Sequence, residues 1–151
     1  MFYQFRHFRP EEVLPPTMFH AHGALGLLVM DSRILWTLDA IRDFFGVPVT
    51  VNTWLDGGQQ SQRGFRDDPG VGAALSQHRY GRAADFDIQG VTAAEFRELA
   101  KSGALGGPGH PESVLQSVSR IEETNGGNPI GWIHTDCANV DTRAGIQFIQ
   151  A

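Results

Sequence analysis

The chain of 151 residues has a single cysteine, Cys137, so no intrachain disulfide forms and the fold must rest on its core and on any metal it binds. A lone free thiol suits a reducing cytosol and reads as a small buried residue rather than a nucleophile. The opening run Met1-Phe2-Tyr3-Gln4-Phe5-Arg6-His7 lacks the basic start and long apolar stretch of a signal peptide, so synthesis in the cytoplasm without a leader is expected. The longest apolar piece, Ala24 to Met30, is far too short to cross a bilayer, and no membrane partner is expected. Positive charge is not in excess: the formal charge of −5 and a pI near 5.6 argue against nucleic acid as a partner. Repeats and low-complexity tracts are absent. The glycine run Gly103 to Gly109 lacks the Lys-Ser/Thr ending of a phosphate loop and reads as a flexible connection.

What is present suits one compact domain. With 41% hydrophobic residues the chain is long enough for one core and too short for two, so a single domain over 1–151 is expected, with residues 1–30 as an N-terminal wrapping segment. Ile34, Leu35, Leu38, Ile41 and Phe45 share one face of a helix from Ser32 to Phe45, capped by Asp31 or Ser32 and ended by Gly46 and Pro48. Val47, Val49 and Val51 alternate with polar partners as a strand, and Asp56 to Gln62 is a polar loop. From Ala83 to Ile88 the alternation predicts a strand with Ala84, Phe86 and Ile88 in the core and Asp85 and Asp87 on the opposite face. Thr92-Ala93-Ala94-Glu95 is a capping box that opens a helix with Phe96, Leu99 and Ala100 on its apolar stripe.

Further on, a short helix is predicted near Pro111 to Val118 and a strand over Arg120 to Glu123. A turn at Asn125 to Asn128 and a strand from Ile130 to Asp136 complete a hairpin, and Ile146 to Ile149 adds an edge strand. The sum is an α+β domain, a small mainly antiparallel sheet flanked by helices.

Three residues hold the chemical interest. Seven residues separate His78 from Asp85, which would put them about 10 Å apart along a helix and on opposite faces of a strand. The chain must turn between them, and Gly81 is the residue that permits it. His134 shares a strand face with Trp132 and Asp136, where a neighbouring strand could carry Asp85. Taken singly, the three read first as a surface histidine, a solvated acid and a hydrogen-bonded core histidine. Two imidazoles and one carboxylate together are a zinc set with a position left for water. His20-Ala21-His22 would place two imidazoles on one strand face, but no carboxylate or cysteine accompanies them, and they read as surface or packing residues.

Ser76-x-His78-x-x-Gly81-x-Ala83-x-Asp85, followed by Trp132-x-His134-x-Asp136, resembles the motifs of the D-alanyl-D-alanine carboxypeptidase and endopeptidase group of zinc peptidases, relatives of the hedgehog domain. The resemblance covers roughly the second half of the chain, with a weaker echo upstream to Val47. It implies a hedgehog-like fold with His78, Asp85 and His134 as ligands of Zn2+. The implied activity is hydrolysis of peptide bonds in peptidoglycan stem peptides, as in many phage endolysins. Gly64-Phe65-Arg66 resembles the group's Gly-Tyr-Arg turn, which makes Arg66 the residue that holds substrate or a developing oxyanion, with Arg63 a nearby alternative.

The sequence departs from that group where many members carry an acidic base three residues before the last histidine, because Gly131 stands there. Glu122 is the first substitute and Glu123 the second, since alternation puts them on opposite faces of their strand. Asp87, Asp136 and Ser76 are candidates for orienting the ligands. The expected protein is a monomeric cell-wall lytic enzyme that reaches the wall after release or delivery by another protein. The alternative is a metal-binding or structural module of the same fold without catalysis.

Overall fold

The computed structural model describes residues 3–150, so Met1, Phe2 and Ala151 of the expected 1–151 domain lie outside the described residues. A 3-10 turn at Pro10–Glu12 leads into helix α1, Pro16–His22, which starts on a proline that has no amide to leave unpaired. His20 and His22 thus lie on a helix, where their i, i+2 spacing points the two rings to different sides. His20 packs edge-on against Trp54, with ring centroids 5.6 Å apart.

A 3-10 stretch, Gly23–Val29, connects to helix α2, Ser32–Phe45, with the predicted boundaries. Asp31 caps it by accepting the Arg33 amide at 3.0 Å, and Gly46 closes it in the left-handed conformation, φ 65°. Ile34, Leu35, Leu38 and Ile41 are buried, as their spacing requires. The same helix carries Asp39, whose buried carboxylate accepts the Tyr3 hydroxyl at 2.7 Å and the Arg6 amide at 2.8 Å. That ties Tyr3 and Arg6 to α2. Segment 1–30 also feeds the core, because Phe8, Val13, Leu14, Leu27 and Met30 join its hydrophobic cluster.

The sheet is built from β1 (Val49–Thr50), β2 (Ala83–Ile88), β3 (Arg120–Asn125), β4 (Asn128–Pro129), β5 (Ile133–Asp136) and β6 (Gln147–Gln150). Their order is β1-β2-β5-β3-β4, with β6 on β3, and every pairing is antiparallel except β3 with β6. Helix α3, Ala93–Lys101, begins at the predicted capping box, where Thr92 accepts the Glu95 amide and Glu95 accepts the Thr92 amide. It packs on the core face of the sheet, where Phe96 meets Phe86 edge-on with centroids 5.9 Å apart. The expected α+β class and mainly antiparallel sheet are what the chain adopts.

Two expectations fail for identifiable reasons. No helix forms over 111–118, because Glu112 takes φ 66° and its amide turns to the Gln116 side chain at 2.8 Å. Leu115 and Val118 reach the core from turns instead. The strand over Ile130 to Asp136 is broken before Ile133. Arg97 of α3 donates to the carbonyls of Ile130 at 2.7 Å and Trp132 at 3.2 Å, drawing that segment out of the ladder.

Candidate metal centre

The face of the sheet away from α3 carries the polar row. Asp85 is paired with His134 across β2 and β5, and Thr135 with Ile121 across β5 and β3. One residue further in that register, Glu122 comes beside His134, and β6 sets Ile149 next to Glu122. Asp85, His134, Glu122 and Ile149 thus lie in one line across four strands, since residues of one parity share a face. Ala83, Asp136, Arg120 and Gln147, two residues along, form the next line on that face. Alternation predicts the face each residue takes, but only the pairing shows which residues become neighbours.

His78 arrives from outside the sheet, on the 3-10 turn Gln77–Tyr80. Gly81 ends that turn at φ 67°, and a Cβ there would lie 2.0 Å from the Val29 carbonyl oxygen, so both the angle and the space require glycine. His78 donates from Nδ1 to the Gly64 carbonyl at 2.9 Å, which leaves the lone pair on Nε2 facing the cleft. His134 donates from Nε2 to Asp136 Oδ2 at 3.2 Å, which frees Nδ1. Both rings are held in the tautomer that presents a lone pair to the same point.

The three groups meet there. His78 Nε2 is 3.3 Å from His134 Nδ1 and 3.3 Å from Asp85 Oδ2, and Asp85 Oδ1 is 2.7 Å from His134 Nδ1. Ligands about 2.0–2.1 Å from a tetrahedral ion stand about 3.3 Å apart, which is the separation of the two imidazole nitrogens, and the carboxylate reaches them through different oxygens, Oδ2 towards His78 and Oδ1 towards His134. All three residues are buried, at 2%, 8% and 4% exposure for His78, Asp85 and His134. Burial raises the Asp85 carboxyl, but with the two rings protonated the charge of His78 and the bonds from both histidines outweigh it and hold the group well below the usual carboxylate range. Burial lowers His134, yet its bonds to Asp136 and Asp85 outweigh that and push it up to about 9. A metal at this point takes the place of that proton.

Around the cluster runs a cleft of about 570 Å³ lined by Arg66, Leu75, Glu122, Asn125, Trp132 and Gln150, among others. Glu122 Oε1 is 3.7 Å from His134 Nε2. Glu123 turns the other way, to Lys101 Nζ at 2.5 Å, so of the two glutamates only Glu122 lines the cleft. Arg66 donates to the Gln62 carbonyl at 3.2 Å and to Ser76 Oγ at 3.3 Å, and its Nη2 is 3.5 Å from Asp85 Oδ2. Ser76 therefore orients the arginine and not a histidine. Arg63 leaves the cleft for Asp87, 2.7 Å away, which removes Asp87 from the residues that orient the ligands. Asp136 does hold one of the two histidines, accepting from His134. Gly131 has open space where a Cβ would project, so its lack of an acid does not follow from crowding.

Sequence reasoning passed over Arg120, which grips Asp136 through both guanidinium edge nitrogens. Its alternation with Glu122 on β3 was the available signal. Cys137 is buried and its thiol is pushed up to about 11, mainly by burial, consistent with a packing residue.

Two histidines and a carboxylate are gathered on one face of an α+β sheet, with an acid and a guanidinium in the same cleft, a donor set that could hold a metal ion with a position left for water. The family model of Peptidase M15 matches residues 7–117, and the chain belongs to this family. Its members are zinc-dependent peptidases. The match includes Arg66, His78 and Asp85, while Arg120, Glu122 and His134 lie beyond it and rest on the geometry above. Neither a curated protein nor a solved structure matches the chain.

Proposed function

We propose that the protein is a zinc-dependent peptidase that hydrolyses peptide bonds in peptidoglycan stem peptides, with His78, Asp85 and His134 as the metal ligands. The observation that carries the reading is the convergence of His78 Nε2, His134 Nδ1 and the Asp85 carboxylate within 4.8 Å of one another, on the floor of a cleft that also holds Glu122 and Arg66. A zinc ion held there supplies Lewis acidity, polarising a scissile carbonyl and acidifying water. Glu122 accepts the proton of the attacking water and returns it to the leaving amine. Arg66, fixed by Gln62 and Ser76, offers N–H donors to the oxygen on which negative charge develops. Asp136 keeps the His134 ring in place throughout.

The peptidoglycan substrate and a lytic, phage-type role rest on the motif resemblance, and delivery to the wall by another protein goes with them. Among the described residues no helix is long and apolar enough to cross a membrane. The non-catalytic alternative draws its support from Gly131; Glu122 in the cleft weighs against it. The test is digestion of purified bacterial sacculi by the zinc-loaded protein, with mass spectrometry of the released fragments. New amino termini, lost on chelation and in His78→Ala, support the reading. A zinc-loaded, folded protein that releases neither peptide fragments nor a free terminal amino acid from the sacculi leaves the metal-binding module as the function.

A further inference from the structure

We infer that Arg120 is a positioning residue of the metal centre, acting through Asp136 to lock the His134 ring with Nδ1 turned to the ion. This rests on the reading of His134 as a ligand. Arg120 and Asp136 are direct cross-strand partners on β3 and β5. Nε of the arginine is 3.0 Å from Oδ1 and 3.1 Å from Oδ2, and Nη2 is 2.8 Å from Oδ2. Such a fork fixes the plane of the carboxylate as well as its place. The Ala138 amide holds Oδ1 from the other side at 3.0 Å.

Only Oδ2 then points at His134 Nε2, 3.2 Å away. The Asp136 side chain is 1% exposed, so without the guanidinium it is a buried carboxylate with no permanent cation beside it. Its plane would no longer be fixed, it could rotate about its own side chain, and the bond that orients the His134 ring would weaken. Arg143 and Asp141 make a similar fork in open solvent, where no ligand depends on it, and serve as the internal comparison.

The experiment measures zinc affinity by chelator competition, and the visible spectrum of the Co2+-loaded protein, for wild type, R120M, R120K, D136N, the double variant R120M/D136N and R143M. Near-UV circular dichroism selects the folded variants, and R120K, which keeps the charge without the fork, serves if R120M does not fold. Expected are a 10- to 100-fold loss of zinc affinity in R120M, a smaller loss in R120K, an altered Co2+ spectrum in both and no change in R143M. The double variant should bind zinc within about twofold of D136N alone, because removing Arg120 changes nothing once its route is gone. Wild-type affinity in folded R120M or R120K overturns the inference. So does an equal loss from R120M in the wild-type and D136N backgrounds. A wild-type protein that takes up no zinc overturns the metal reading itself, and this inference with it.

Discussion

Gly81 and Val29 approach so closely that a Cβ on the glycine would lie 2.0 Å from the Val29 carbonyl oxygen and 2.8 Å from Met30 Cα. Both neighbours are backbone, so neither moves aside by changing rotamer. Gly81→Ala must also adopt φ 67°. Together the left-handed conformation and the overlap should cost about 2–5 kcal/mol. Because Gly81 closes the turn that carries His78, the loss should appear in thermal unfolding and in zinc affinity together. A variant with wild-type Tm and wild-type zinc affinity would contradict the placement of this turn.

Zinc should stabilise the folded chain, since the proposed ligands His78, Asp85 and His134 come from a turn and two strands that unfolding separates. At a hundredfold excess over Kd the gain is about 2.7 kcal/mol. For a chain of this size that is about 5–10 °C in Tm. Asp85→Asn and His78→Ala should lose the response, and chelation should reverse it in the wild type. Calorimetric scans with and without zinc check this, and a wild-type Tm indifferent to zinc would count against the centre.

What could be read ahead of the structure was local. Helix α2 follows from its apolar spacing and Asp31, α3 from the Thr92 to Glu95 capping box, and β2 from the alternation that leaves Asp85 opposite the core. What could not be read depends on distant partners. The break before Ile133 comes from Arg97, 33 residues from Ile130 along the chain, and the absent helix near Pro111 from one residue with positive φ. At the metal centre, a motif brings out His78, Asp85 and His134, whereas the Arg120 fork on Asp136 spans 16 residues and needs the β3–β5 register to be seen.

Alkaline pH should weaken the fold through two groups. Cys137 is pushed up from 9.0 to about 11, first by burial and then by the Asp31 charge; Tyr3 is pushed up from 10.0 to about 12 by burial and its bond to Asp39. Both are raised, so each contributes stability that is complete below its unfolded value and is lost as pH climbs through its folded value. In the zinc-loaded protein, where the metal takes the place of the His134 proton, Tm should therefore hold level up to about pH 9 and fall between there and pH 12. Cys137→Ala and Tyr3→Phe should each flatten part of that fall. In the native protein at pH 8 the thiol should resist a disulfide reagent that labels it at once in urea, and rapid native labelling would show that it is not buried as described.

The two adjacent glutamates of β3 separate catalysis from structure. Glu122 faces the cleft, 3.7 Å from His134, and Glu123 faces Lys101 on the other side. If Glu122 moves the proton, Glu122→Gln should lower kcat on a cleaved stem peptide by about 10²–10⁴-fold, since the amide keeps the shape but cannot accept that proton. Zinc affinity and Tm should change little, because no metal contact is lost. Glu123→Gln breaks a partly exposed ion pair worth about 0–1 kcal/mol and should leave kcat nearly unchanged. Steady-state kinetics of both variants at matched zinc occupancy decide the matter. Equal activities, or a larger loss from Glu123→Gln, would move the proton-transfer role away from Glu122 and leave the metal ligands as they are.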